Sequence, residues 1–269
     1  MTRPLDVLVC GALGKMGRQV VRAVFEAPDL QLVAAVDTAA NGEDGLEAAG
    51  LPERGLRIDT DLAEAISKSV PAVAVDFTAP EAVMGNVRTC LTRGVAVVGG
   101  TTGLSQENLE EISSLCQQYG TPCLFASNFA LGAVLMMRFA EQAARYFDHA
   151  EIIELHHDEK KDAPSGTALT TAERMLRSRG RPFSPPKAGD PEVKLAGVRG
   201  GELGDVRIHS VRVPGVVANQ EVIFGSTGQT LTLRHDTTGR ECFMPGVLLA
   251  LRRVRSLEGF VSGLDALLV

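Results

Sequence analysis

The residues best suited to chemistry are gathered in one segment, Glu154-Leu155-His156-His157-Asp158-Glu159-Lys160-Lys161-Asp162-Ala163-Pro164-Ser165-Gly166-Thr167-Ala168. Two of the chain's five histidines are adjacent there, two lysines follow, and Pro-Ser-Gly-Thr opens what reads as a helix. An imidazole can donate a proton near neutral pH, an ammonium supplies a fixed cation, and the first amides of a helix offer N–H groups to a carboxylate. The set suits reduction of a small anionic molecule. Taken alone, a His-His pair is more often structural than catalytic, and Lys160-Lys161 reads as an exposed charge pair. No metal site is expected, because adjacent residues at a strand end point in opposite directions and no third ligand is suggested.

A second constellation changes that balance. Gly11-Ala12-Leu13-Gly14-Lys15-Met16-Gly17 follows an apolar run and opens a helical stretch. In that context glycines permit a tight turn and close backbone approach, while the free N–H groups at the helix start hold a pyrophosphate. Asp37 ends the next apolar run, placed to accept hydrogen bonds from the adenosine ribose, which favours NADH. Lys15 could offset repulsion of a 2′-phosphate, so NADPH stays open. The spacing is G-x-x-G-x-x-G rather than G-x-G-x-x-G, and a plain strand-to-helix turn is the alternative. Gly99-Gly100-Thr101-Thr102-Gly103 and Asp76-Phe77-Thr78 also end apolar runs, where an α/β sheet borders its ligand crevice and where small residues could admit a nicotinamide ring.

These groups need a scaffold. Short apolar runs at Leu5 to Cys10, Leu32 to Val36, Ala72 to Phe77, Val95 to Val98 and Cys123 to Phe125 alternate with helical stretches. The helices expected are Met16 to Ala27, Pro80 to Arg93 and Ser105 to Tyr119, the last with Ser105 as N-cap. That alternation predicts an α/β fold, an N-terminal Rossmann-like doubly wound parallel sheet. Beyond Asn128 the pattern changes to a helix (Leu131 to Phe147), a strand (Glu151 to Leu155), a helix (Thr167 to Arg179) and a Pro/Gly-rich stretch from Arg181 to Asp205. Strands at Val206 to Val213, Val216 to Phe224 and Thr230 to His235 come next, and a final helix spans Arg240 to Arg253. This predicts a smaller α+β domain with a mixed, largely antiparallel sheet. The domains expected are 1–127 for a dinucleotide, 128–237 for substrate and oligomerisation, and 238–269 as a C-terminal helix returning to the first.

Composition sets outer limits. The 269 residues are 45% hydrophobic and 22% charged, which supplies a globular core. Lys and Arg total 27 against 33 Asp and Glu, a net charge of -6 that disfavours nucleic acid. No Trp and only two Tyr leave no stacking platform for single strands. No apolar run approaches a membrane span, and the charged start Met1-Thr2-Arg3-Pro4-Leu5-Asp6 does not resemble a secretory leader. On those grounds a cytoplasmic protein is expected, and the five scattered cysteines read as buried thiols.

Together, Gly11 to Gly17, the Gly100-Thr101-Thr102-Gly103 turn, the Asn128-Phe129 step and the Glu154 to Ala168 block resemble dihydrodipicolinate reductase, the family now described as 4-hydroxy-tetrahydrodipicolinate reductase. The resemblance spans nearly the whole chain. It implies NAD(P)H-dependent reduction of a small dicarboxylate in diaminopimelate and L-lysine biosynthesis. His156 would be the acid/base and Lys160 the proton donor, with His157, Gly166 and Thr167 binding substrate. It places Gly11, Ala12, Leu13, Gly14, Lys15, Met16, Asp37, Phe77, Gly100, Thr101, Thr102, Ala126, Ser127, Asn128 and Phe129 at NADH or NADPH, and implies a homotetramer through the second domain's sheet. The chain departs from the family at Ala218-Asn219-Gln220 and at Arg212-Val213-Pro214, a region expected to serve assembly rather than chemistry. Another two-domain nicotinamide oxidoreductase would lack the need for His156 to Thr167. A cofactor sensor would bind without turnover.

Overall fold

The computed structural model describes residues 3–185, 192 and 194–268. Part of the expected Pro/Gly-rich stretch, residues 186–191 and 193, lies outside the described residues, as do Met1, Thr2 and Val269. Two compact units form, Met1–Ala130 with Phe243–Val269, and Leu131–Cys242.

The first unit is built on a parallel sheet. Its elements run β1 (Leu5–Cys10), α1 (Lys15–Glu26), β2 (Leu30–Val36), α2 (Gly45–Ala48), β3 (Ile58–Asp59), α3 (Leu62–Ser69), β4 (Val73–Asp76), α4 (Pro80–Leu91), β5 (Ala96–Gly99), α5 (Gln106–Tyr119) and β6 (Cys123–Phe125). The segment after residue 243 adds α8 (Met244–Arg253) and β12 (Phe260–Ser262), the latter pairing in parallel with β6. Strand order is β12-β6-β5-β4-β1-β2-β3, so the chain steps from β1 to one side and later returns to the other. That reversal lies between β1 and β4, which pair directly, and it is where an open α/β sheet leaves a crevice for ligands. Val7, Leu8, Val9, Val73 and Val75 are fully buried, because helices cover both faces and a central parallel strand has no solvent side. Helix α5 starts on a reciprocal cap in which Ser105 and Asn108 each bind the other's backbone N–H.

Several short elements were not legible from periodicity. Helices α2 and α3 and the two-residue strand β3 fill the interval between β2 and β4, and β12 extends the sheet at its edge. Burial pushes the Cys90 thiol up to about 12, with the nearby Asp76 charge adding to it. Cys10, Cys116 and Cys123 are buried too.

The second unit is a five-stranded mixed sheet, β11 (Gln229–Thr237), β10 (Ala218–Ser226), β7 (His149–His156), β9 (Val206–Arg212) and β8 (Gly201–Leu203) in spatial order. Only β7 and β9 run parallel; the other pairings are antiparallel. Helices α6 (Leu131–Ala143) and α7 (Gly166–Arg179) supply Ala140, Ala168, Ala172 and Met175 to a core closed by Ile152, Ile208, Val222 and Phe224. Alternation along β7 turns Ala150, Ile152 and Glu154 into that core. Helix α6 ends at Ala143, earlier than the expected Phe147, because Phe147 packs its ring against Phe224 rather than continuing the turn. The last helix likewise begins later than expected, its first turn over Arg240–Phe243 being a 3-10 segment.

Gly17 is fixed by sterics: a Cβ there would lie 1.9 Å from the Gly11 carbonyl oxygen. Gly17→Ala is expected to lower stability by about 1–3 kcal/mol through overpacking. Gly85→Ala, in α4 with open space around it, should raise stability by about 0.5–1 kcal/mol. Chemical denaturation of both variants checks the contrast.

Candidate active site

In the first unit, the residues expected at a dinucleotide lie in the turns that follow β1, β2, β4, β5 and β6 or, for Lys15 and Met16, in the first turn of α1. Gly11 follows β1 with φ +79, a conformation that favours glycine, and a Cβ there would meet the Phe77 carbonyl oxygen at 2.9 Å. The loop then folds down: Gly11 N–H and Ala12 N–H donate to the Val36 carbonyl at 2.8 and 3.2 Å, and Gly14 N–H donates to the Gly11 carbonyl at 3.0 Å. Asp37, after β2, accepts the Leu13 N–H at 2.9 Å on Oδ2 and the Ala39 N–H at 3.0 Å on Oδ1. It therefore anchors the glycine loop, a role that spacing alone did not reveal, and its remaining lone pairs can accept further hydroxyls.

Helix α1 begins at Lys15 with Gly14 at its N-cap, no side-chain cap and no acidic residue in its first turn. Helices α3, α5 and α7 are each closed by an Asp or Ser side chain. An uncapped, dipole-positive terminus behind a glycine turn is what a pyrophosphate needs, so the residues present fit a dinucleotide. Lys15 is exposed beside it, Met16 is half-buried and Ala12 is buried.

The ends of β4 and β5 are tied by Asp76, which is only 1% exposed. Its Oδ1 accepts from Thr78 N–H (2.9 Å), Thr78 Oγ1 (2.7 Å) and Thr101 Oγ1 (3.2 Å), and its Oδ2 accepts from Asn86 Nδ2 (2.7 Å). The glycine pair Gly99-Gly100 also has a packing reason. A Cβ on Gly99 would lie 2.1 Å from the Phe125 ring and one on Gly100 2.1 Å from the Phe77 ring, so neither position tolerates a side chain beside these aromatics. Phe77 also packs against Phe129, ring centroids 5.6 Å apart. Thr102 and Ser127 are exposed, Ala126 and Phe129 are buried, and Asn128 Oδ1 accepts the Ala130 N–H at 2.8 Å.

In the second unit the structure collects the expected polar segment around one carboxylate. Glu154 and His156 are two residues apart on β7 and so share a face. Glu154 is fully buried, and its Oε2 lies 2.5 Å from His156 Nδ1. Arg212 donates to both carboxylate oxygens, at 3.0 and 2.8 Å, and to the Asp162 carbonyl at 2.6 Å. Ser165 N–H reaches Glu154 Oε1 at 3.3 Å, while Ser165 Oγ caps α7 by accepting the Ala168 N–H. Gly166 and Thr167 thereby occupy the first turn of α7, beside the same carboxylate. Lys160 Nζ sits on both oxygens of Asp162, at 2.7 and 2.9 Å, so its ammonium already has a counter-ion. His157 lies exposed just past β7.

Electrostatics follow from this packing. Burial pushes the Glu154 carboxyl up, but hydrogen bonds from Arg212, Ser210 and His156 outweigh it and hold the group below its ordinary value. For His156, burial lowers the pKa and outweighs the upward pull of Glu154, with Lys160 and Arg212 adding to the decrease. The Lys160 pairing holds Asp162 low.

Neither Glu154 nor Arg212 was assigned to the site from the sequence. Glu154 was within reach through the two-residue period that puts it beside His156. Arg212 lies in the stretch expected to serve assembly, and the β7–β9 register, which sets it opposite His156, brings its side chain into this cluster. No local signal in the sequence announces that register.

A parallel sheet with an uncapped glycine turn at its reversal point, joined in one chain to a mixed sheet bearing a His-Lys-Arg cluster, defines the class of two-unit dehydrogenase-type oxidoreductases that use a nicotinamide cofactor. Residues 5–129 match the family described as dihydrodipicolinate reductase, N-terminus, and residues 132–268 match dihydrodipicolinate reductase, C-terminus. The chain belongs to the dihydrodipicolinate reductase family. It is 51% identical over 268 residues to a 4-hydroxy-tetrahydrodipicolinate reductase of Moorella thermoacetica, covering 100% of this chain and 99% of that one. A protein of the same name from Thermosynechococcus vestitus is 51% identical over 273 residues, covering 100% and 98%. Among solved structures, a dipicolinate-bound dihydrodipicolinate reductase from Paenisporosarcina sp. TG-14 superposes with a TM-score of 0.86 at 38% identity, covering 98% and 99%. An amine dehydrogenase from Mycobacterium smegmatis shares the fold alone, with a TM-score of 0.67 at 14% identity.

Removing Arg212 leaves a buried carboxylate without its cation. Arg212→Met is expected to destabilise the protein by about 3 kcal/mol at neutral pH. The deficit should shrink in acid, where Glu154 becomes protonated and no longer needs a counter-charge. Urea unfolding of both proteins across that range checks the sign.

Proposed function

We propose that this chain catalyses the NAD(P)H-dependent reduction of 4-hydroxy-tetrahydrodipicolinate to tetrahydrodipicolinate, in diaminopimelate and L-lysine biosynthesis. The observation that carries the reading is the Glu154-centred cluster, which holds His156, Lys160 and the α7 amides together in a chain of this family. The dipicolinate bound in the Paenisporosarcina protein supports a planar, ring-shaped dicarboxylate as the ligand.

The first unit is the dinucleotide-binding part in this reading. The α1 terminus and the Gly11 to Met16 turn hold the pyrophosphate, Asp37 holds the adenosine ribose, and Phe77, Gly100, Thr101, Thr102 and the 126–129 segment border the nicotinamide. A bound reduced nicotinamide supplies the hydride. Asp37 favours NADH, since a 2′-phosphate would face its carboxylate, and exposed Lys15 leaves NADPH usable.

The second unit binds the substrate. The N–H groups of Gly166 and Thr167, at the positive end of α7, hold one carboxylate, and Lys160 and His157 hold the rest of the dianion. Loss of water from the 4-hydroxy compound leaves a conjugated imine, and hydride addition leaves enamine-like negative charge. Lys160 supplies the proton that quenches it, and His156 acts as the acid/base beside it. A dicarboxylate close to His156 raises the imidazole pKa, against the lowering set by burial in the free protein, so substrate arrival recruits the acid.

We extend the reading to a cytoplasmic homotetramer. Unpaired thiols at all five cysteines support a reducing compartment. On the sheet face opposite α6 and α7, half-buried Ile153 and Leu155 and exposed Val211 support contact between copies.

Lys160→Ala should lower kcat at least about 100-fold, as expected for a lost proton donor, with NADH affinity nearly unchanged. Steady-state kinetics on substrate made in situ by the preceding aldol-type synthase, with NADH titration by fluorescence, decides it; undiminished turnover removes Lys160 from the chemistry. Asp37→Ala should weaken NADH relative to NADPH, and an unaltered ratio of kcat/KM for the two cofactors would mean that Asp37 does not meet the ribose.

A further inference from the structure

We propose that Glu154 is a positioning residue for the reduction: clamped by Arg212, its carboxylate takes the Nδ1–H of His156, so that Nε2 is the atom that exchanges the catalytic proton. The proposal rests on His156 being the acid/base.

The geometry leaves little choice of tautomer. An ionised carboxylate is an acceptor only. Its Oε2, 2.5 Å from Nδ1, therefore requires the proton on Nδ1 and leaves Nε2 with the lone pair in the neutral ring. Ionisation is enforced from the other side, where Arg212 donates through Nη1 to Oε2 and through Nη2 to Oε1. Ser165 N–H adds a further donor on Oε1. With the Glu154 side chain 0% exposed and those of His156 and Arg212 15% and 19%, bulk water competes poorly for these bonds.

The same contacts fix the ring in space. Arg212 binds the Asp162 carbonyl, and Asp162 holds the Lys160 ammonium. Val213 N–H donates to the His156 carbonyl at 3.0 Å, which fastens the strand end itself. The charged groups around the imidazole are thus Glu154 on β7, Arg212 on β9, and Lys160 and Asp162 in the loop before α7. β10 contributes only Ala218 opposite His156. Of these, Glu154 alone touches the ring as an anion, so it is what keeps a protonated His156 attainable between two cations.

Glu154→Gln tests this at almost unchanged shape. The amide oxygen is drawn to the side of Arg212 Nη2 and Ser165 N–H, and the NH2 group then faces His156 Nδ1 and selects the opposite tautomer. The expected result is a fall in kcat of about 100-fold, on the scale of a lost general acid, with cofactor KM unchanged. The pH at which kcat/KM begins to decline on the alkaline side should move down by about one unit or more, because the imidazolium has lost its anion. A variant that merely loses stability but keeps the wild-type pH profile per folded molecule overturns the proposal. If Glu154→Gln does not fold, nitrogen-15 NMR of histidine-labelled wild-type protein still decides: a His156 protonated on Nε2 in its neutral form overturns it. His156→Gln separates the two readings. Full turnover in that variant removes the acid/base role of His156 itself, whereas its inactivity together with an unshifted Glu154→Gln profile removes only the positioning role.

Discussion

A carboxylate sealed from water is the constraint around which the second unit is arranged. An unpaired ion in a protein interior is unfavourable by several kcal/mol, so Glu154 can be buried only if its lone pairs are met. The donors come from separate stretches of chain: His156 on the same strand, Arg212 and Ser210 on β9, and Ser165 at the head of α7. Satisfying one ion therefore fixes the imidazole, the guanidinium and the α7 amide turn with respect to one another. The side chains that do chemistry in our reading are where they are because Glu154 has to be accommodated.

The first unit reaches its binding surface by related means. Asp37 gathers the backbone of the glycine loop, and Gly17 lets the start of α1 pack directly against the Gly11 carbonyl. In our reading this holds the loop and the uncapped start of α1 in place for an anion and lowers the ordering cost of binding.

How much of this was legible follows from where each signal resides. The strands Leu5–Cys10 and Cys123–Phe125 and the start of α5 at Ser105 are written locally, in apolar runs and a capping residue, and the sequence reading has the same bounds. Two- to four-residue elements such as β3, α2 and β8 have no period to detect, and tertiary pairing alone defines them. The polar segment from His156 to Thr167 stood out because its residues are contiguous. Arg212's place in the cluster was not legible because its partner is 58 positions away and meets it through strand register. The Gly99-Gly100 pair was read as a small-residue turn, but the close approach of the Phe125 and Phe77 rings that requires glycine at both positions comes from distant stretches of chain, which composition near the pair cannot disclose.

The buried Asp76 has a mechanical consequence. Three separate pieces, the turn after β4, the turn after β5 and the flank of α4, hang from its two oxygens. No one of them can loosen without stripping a donor from an enclosed anion, so their fluctuations are cooperative. In amide-exchange terms these three pieces are expected to open as a single unit.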